Sequence, residues 1–227
     1  MPKVYAIGID FGTSNTCVAV ATYYDRGQGQ LDADPLNRPE AITFGLNATV
    51  PTVVFVGQGP ELAPEFGEIA DERAQYYPEL TRSGFKMQLG DPRRGREAYQ
   101  LARQFLEFLR RRVAEVIPLD SRTSAVRFET IVGHPVQWSA DQREETRRAA
   151  QESGFPNVRL EEESMAALYS HLCDEKGSFQ PRPGGRILML DMGGHDRFRV
   201  PPVGDEPGPA TRLHPRRPYS GGASLGQ

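Results

Sequence analysis

Two apolar, β-rich runs lie close to the N-terminus with only a few turn-forming residues between them, and this arrangement limits the possible folds more than any other feature. Residues 4–10 form the first run, residues 16–24 the second, with Cys17, Val18 and Val20 prominent. Phe11, Gly12, Thr13, Ser14 and Asn15 stand between them. Strand formers joined by so short a link read as a β-hairpin. A second segment repeats the design: residues 188–190 are apolar, Asp191 closes the run, and Gly193 and Gly194 follow at once. Glycine lets the backbone turn tightly and bring its amides to an anion. An aspartate at a strand end can hold magnesium through water and so neutralise phosphates. Paired, the two segments read as a two-sided phosphate clamp; singly, each reads first as a structural β-turn. Neither is a Walker loop or a GxGxxG dinucleotide fingerprint.

Beyond the hairpin, residues 25–40 are rich in Gly, Gln, Asp and Pro and read as a loop, with strands expected at 41–44 and 50–56 and helical turns and loops over 57–96. From 98 to 117, Leu101, Phe105, Phe108, Leu109, Val113 and Val116 recur at helical spacing, with Arg110, Arg111 and Arg112 largely on the other side. That arginine run reads as a solvated helix face rather than a nucleic-acid patch. A strand follows at 128–133. Ser139 with Gln142 three residues on is a capping-box signature, opening a helix that ends at Gly154. A short strand at 158–160, a helix over 163–173 and an apolar strand at 186–191 complete the pattern. Strands alternating with helices make the chain α/β.

Composition excludes several classes. With 227 residues, 38% hydrophobic and 25% charged, the chain can bury one sizeable core or two small ones. A net charge of -3 gives no basic footprint, so neither nucleic acid nor an anionic membrane is expected as a partner. Cys17 and Cys173 lie far apart in apolar surroundings and read as reduced, buried thiols, with no spacing that suggests zinc. No signal peptide is evident, and no apolar run approaches the roughly 20 residues of a membrane span, so a cytoplasmic location is expected. After Gly194 the prolines multiply and apolar periodicity stops, which divides the chain into a globular part, 1–194, and a Pro/Gly/Arg-rich tail, 195–227, expected to be disordered.

Taken in order, these motifs resemble the actin-like ATPase superfamily and, within it, the 70-kDa heat-shock chaperone family. Residues 7–16 look like that family's first phosphate motif and residues 190–194 like the start of its second. Residues 131–136, Gln142, Arg143 and Gly154 resemble the intervening strand, Pro-containing turn and connecting helix. An ungapped count from Pro135 sets Glu163, Ser164, Met165, Ala166 and Ala167 on the family's Glu-Pro-Thr-Ala-Ala segment, with Glu161 and Glu162 adjoining. The resemblance covers residues 4–194. It implies a ribonuclease-H-like, actin-type ATPase lobe with a mixed central sheet flanked by helices. It also implies ATP and Mg2+ as ligands. Gly12, Thr13, Ser14 and Asn15 would contact the phosphates together with Gly193 and Gly194. Asp10 and Asp191 would organise magnesium, and Glu163 would orient the attacking water. Unfolded polypeptide clients and co-chaperones would be partners of a full-length relative. A non-enzymatic actin-like scaffold or filament module and a sugar-kinase-type phosphotransferase are the alternatives, the latter disfavoured by the stretch from Pro135 to Glu163.

The sequence also departs from the family. Where the chaperones carry a lysine four residues after a glycine, this chain reads Gly67, Glu68, Ile69, Ala70, Asp71, and an aspartate there would repel phosphate. Lys86 is the replacement cation considered, but is expected at the surface. After Gly194 the chain reads His195, Asp196, Arg197 in place of the family's Gly-Thr-x-Asp. Codons exist for residues 195–200 that, one frame over, encode the family continuation, so a frameshifted tail and a truncated lobe with little turnover are expected. His195 is then an off-frame residue, while His134, Trp138, Tyr76 and Tyr77 are expected to be structural.

Overall fold

The computed structural model describes residues 1–27, 30–33, 39–57, 63–121, 123 and 125–173. The chain divides into two compact units, Met1–His134 with Trp138–Glu162, and Pro135–Gln137 with Glu163–Gln227. Strand 186–191, Asp191, Gly193, Gly194 and the tail fall outside the described residues.

In the first unit the expected hairpin forms. Strand β1 (Lys3–Phe11) pairs antiparallel with β2 (Asn15–Gly27), in unbroken register from Lys3 opposite Tyr24 to Phe11 opposite Thr16. The other edge of β1 takes up β9 (Val126–His134) in parallel, and β9 in turn takes up β10 (Val158–Glu162), also in parallel. The result is a mixed sheet of order β10-β9-β1-β2-β3, in which β3 (Gln30–Ala33), β4 (Glu40–Ala41) and β5 (Thr49–Pro51) all pair with β2.

Three expectations here need correction. The loop expected over 25–40 contains strand β3. The hairpin continues because Gly27, at φ 85°, absorbs a register shift and donates its N–H to the Asp25 carboxylate at 2.7 Å. The strand expected at 41–44 is only β4, and Phe44 instead bridges to Asn47. The run 50–56 is two strands, β5 in the main sheet and β6 (Val53–Phe55) in a small separate sheet with β7 (Glu65–Phe66) and β8 (Thr81–Ser83). Helix α1 (Glu68–Ala74) packs beside that small sheet.

Helix α2 (Gly95–Val116) supplies the main core. Leu101, Phe105, Leu109 and Val113 are buried as their spacing predicts, together with Tyr99, Ala102 and Leu106; Val116 is exposed. Phe105 stacks on Phe11 at 6.1 Å and meets Phe85 edge-on at 6.1 Å, so α2 grips the end of β1 through aromatic contacts. The arginine run is a solvated face only in part: Arg111 is exposed and pairs with Glu107, whereas Arg110, paired with Asp120, and Arg112, paired with Glu115 and donating to the Thr43 carbonyl at 2.9 Å, are half-buried. Helix α3 (Ala140–Glu152) opens with both halves of the capping box, Gln142 N–H donating to Ser139 Oγ at 3.2 Å and Ser139 N–H to Gln142 Oε1 at 3.1 Å. Gly154 follows it at φ 94°. In the second unit, α4 (Glu163–Cys173) is the described element.

Tyr76 and Tyr77 are not packing residues: Tyr76 is fully at the surface, and Tyr77 is exposed with only a tilted contact to Phe55. Both lie in the short link between α1 and the 3-10 turn Pro78–Leu80.

Candidate phosphate site

The turn between β1 and β2 is closed by backbone geometry. Gly12 N–H donates to the Asp10 carbonyl at 3.0 Å, and a Cβ on Gly12 would stand 2.0 Å from the Asn15 carbonyl oxygen, which no side chain can occupy. The turn needs glycine here for space, because its chain doubles back on itself. Thr13 is half-buried, and Ser14 and Asn15 are exposed at the rim.

A brace unseen in sequence holds this turn from beneath. Thr52 N–H donates to the Ser14 carbonyl at 2.8 Å, and the Thr52 and Thr16 hydroxyls share a buried hydrogen bond of 2.8 Å. Both threonines are fully buried. Thr52 lies between β5 and β6, so the break in the run 50–56 is where the chain leaves its ladder to hold the turn. Only a threonine inside a β-rich run marks it in sequence, and that is no signal.

The parallel strands β1, β9 and β10 end side by side. Leu160 stands opposite Val132, and Glu162 opposite His134, while Ile9 pairs with Val132 from the other edge. In open α/β sheets the crevice at the carboxyl ends of parallel strands is where ligands bind. That rim carries the exposed Asp10, the turn 12–15, and Glu161 and Glu162. His134 is buried and stacks on Trp138 at 6.5 Å, in keeping with the structural role expected for both.

Asp10 also acts on a neighbour. Burial first, and the Asp10 carboxylate second, push the Cys17 thiol above its ordinary pKa. Cys17, opposite Asp10 in the ladder, is half-buried rather than buried as expected, because it sits where the sheet opens to the turn. The side chain of Cys173 is outside the described residues.

Of the remaining expected site residues, Glu163 begins α4 in the second unit and is half-buried, and Asp191, Gly193 and Gly194 are outside the described residues. Asp71 is exposed in the first turn of α1, where an acid complements the helix dipole. Lys86 contradicts its expected surface position: it is 2% exposed. Its short 3-10 turn, Phe85–Gln88, packs Phe85 into the aromatic core and draws Lys86 in with it.

Among the described residues no group of three or more His, Cys, Asp or Glu side chains could cage a metal ion. Magnesium does not require such a cage, since it keeps most of its waters and binds through one or two carboxylates and the ligand's phosphates. An exposed Asp10 at a strand end fits that donor set. No helix among the described residues is long and apolar enough to cross a membrane.

These features define the class: a mixed α/β protein whose parallel strands open beside a glycine turn braced from below. No protein-family model matches the chain. It is similar, over 194 residues and 83% of its length, to proteins named chaperone protein DnaK. Identity is 31% to that of Endomicrobium trichonymphae and 27% to those of Elusimicrobium minutum and Thermoplasma acidophilum. Over this stretch the chain is similar to members of the 70-kDa heat-shock protein family. It spans 28% of the length of these relatives.

Proposed function

We propose that the turn 12–15 binds the phosphates of ATP, with Asp10 directing a hydrated magnesium ion, and that the chain is the first lobe of a ribonuclease-H-like, actin-type ATPase working as a DnaK-like chaperone. The carrying observation is the turn itself: a glycine that nothing can replace, at the carboxyl end of β1, braced by Thr52 and Thr16. A sheet with β1, β9 and β10 parallel and β2 antiparallel to both β1 and β3 supports the lobe assignment.

The chemistry follows from charge. Phosphoryl transfer is catalysed mainly by positioning and by neutralising the phosphate oxygens. The turn offers backbone N–H groups, magnesium would offset charge when bound, and Glu163 and Asp191 are the carboxylates proposed to orient water and share the ion, with Gly193 and Gly194 as further phosphate contacts. We further propose that these residues alone turn ATP over little or not at all, since phosphate contacts without the full constellation bind rather than catalyse. Unfolded polypeptides and co-chaperones are the proposed partners of a full-length relative, in the cytoplasm.

Titration of the chain with Mg-ATP, followed by 31P NMR, tests the reading. Saturable binding is expected, and Gly12→Val should abolish it while leaving the far-ultraviolet circular dichroism of the sheet in place. A folded wild-type chain that shows no saturable shift would sink the proposal.

A further inference from the structure

We propose that Thr52 is a positioning residue for the phosphate turn, fixing the Ser14–Asn15 peptide so that the Asn15 N–H is held ready for an anion; the inference rests on the phosphate-binding reading above. Pro51 stands opposite Asn15 at the end of β5 and has no N–H to give. The next donor along the segment is the Thr52 N–H, and it goes to the Ser14 carbonyl at 2.8 Å. A trans peptide is planar, so its C=O and N–H point in opposite directions. Strand β5 lies along one edge of β2 and β1 along the other. Holding the Ser14 carbonyl on the β5 side therefore turns the Asn15 N–H toward the β1 side, where Asp10 stands.

One hydrogen bond alone would leave that peptide free to rock. The 2.8 Å bond between the Thr52 and Thr16 hydroxyls adds a second hold, so the backbone on both sides of Asn15 is tied to the same residue. Thr52 is itself a stiff post: the chain runs on from it into β6, which is paired on both edges by β7 and β8 and buries Val54 completely. Thr52 and Thr16 are at 0% exposure, whereas Asn15 is exposed at the rim. Thr52 thus acts on a ligand through the turn and not by touching it. A donor already fixed in its binding orientation loses less freedom when the anion arrives, and that saving appears as affinity.

The test uses the whole chain with inorganic tripolyphosphate and Mg-ATP as probes. In the 15N-labelled wild type, tripolyphosphate should shift the Asn15 and Thr52 amide resonances together and leave that of Val4, near the far end of β1, in place. Donation by the Asn15 N–H polarises the Ser14 carbonyl to which Thr52 donates, so the buried amide reports on the exposed one. Thr52→Val should weaken binding of both probes about tenfold, the affinity equivalent of one hydrogen bond. Thr52→Ser, which keeps the hydroxyl and the N–H, should bind within about twofold of wild type. Thr146→Val, which removes a buried threonine hydroxyl bond of 2.9 Å inside α3, should do the same. The double variant Thr16→Val/Thr52→Val leaves neither hydroxyl buried without its partner, yet should bind as weakly as Thr52→Val, because the two substitutions remove one shared bond. Binding restored in the double variant would show that the loss came from an orphaned hydroxyl, and would overturn the positioning role. If the wild type binds tripolyphosphate and Gly12→Val does not, but the Thr52 resonance stays put or Thr52→Val binds within twofold, the role of Thr52 is refuted and the phosphate turn stands. If the folded wild type binds neither probe, both readings fall. The wild-type resonances decide the matter even where Thr52→Val does not fold.

Discussion

Cys17 and Asp10 face each other across neighbouring strands, and their coupling gives the site a chemical reporter. A thiol whose pKa is raised holds less thiolate at a given pH, and only the thiolate attacks an alkylating agent. In a Cys173→Ser background, iodoacetamide should therefore react with Cys17 along a pH profile displaced upward from that of a free cysteine. Asp10→Asn removes the carboxylate's contribution and should move the profile back down only in part, because burial is the larger cause. Magnesium held at Asp10 would act in the same direction as that substitution. An unchanged profile in Asp10→Asn would show that the carboxylate does not act on the thiol. At this scale the sequence was informative where space is local, as at Gly12, and uninformative at Lys86 and Thr52, whose placements depend on neighbours 75 and 36 positions away in Phe11 and Thr16.

Among the elements, α3 shows how far a short pattern reaches. Ser139 and Gln142 close the helix start with two reciprocal hydrogen bonds, and Gly154 supplies the positive φ that ends it. Ser139→Ala should cost about 1 kcal/mol, the usual worth of such a cap. It would be read as a lower urea midpoint at unchanged slope, and a midpoint equal to wild type would show that α3 is held by packing alone. Helix α2 was equally legible, since Leu101, Phe105, Leu109 and Val113 fall on one face at helical spacing. The edges were not: β3 needs the bulge at Gly27 and the partner strand β2, and β4 is only two residues long. Strand formation of that kind depends on a ladder already in place, which no local pattern records.

For the molecule as a whole, the sheet order predicts where the fold resists opening. Strands β1 and β9 are paired along both edges, and α2 buries its apolar face against the core, whereas β3 has β2 as its one neighbour in the sheet order. Amide hydrogen exchange should be slowest in β1, β9 and α2 and faster in β3 and β4, since protection follows pairing and burial. Uniform protection across the sheet would contradict this topology. The same order places Asp10, the turn 12–15 and the ends of β9 and β10 along one rim, where the proposed phosphate site lies.

The sequence by itself determined the hairpin, the glycine turn, the cap of α3, the amphipathic face of α2 and the α/β class. Each is set by residues near one another in the chain, through backbone freedom, hydrogen bonding or periodic burial. Tertiary structure decided that the run 50–56 splits between two sheets at Thr52, that Tyr76 faces water, and that Lys86 lies in the core beside Phe11. Those outcomes depend on contacts between distant segments, where the packing of a whole aromatic cluster overrides the preference of a single charged side chain for the surface.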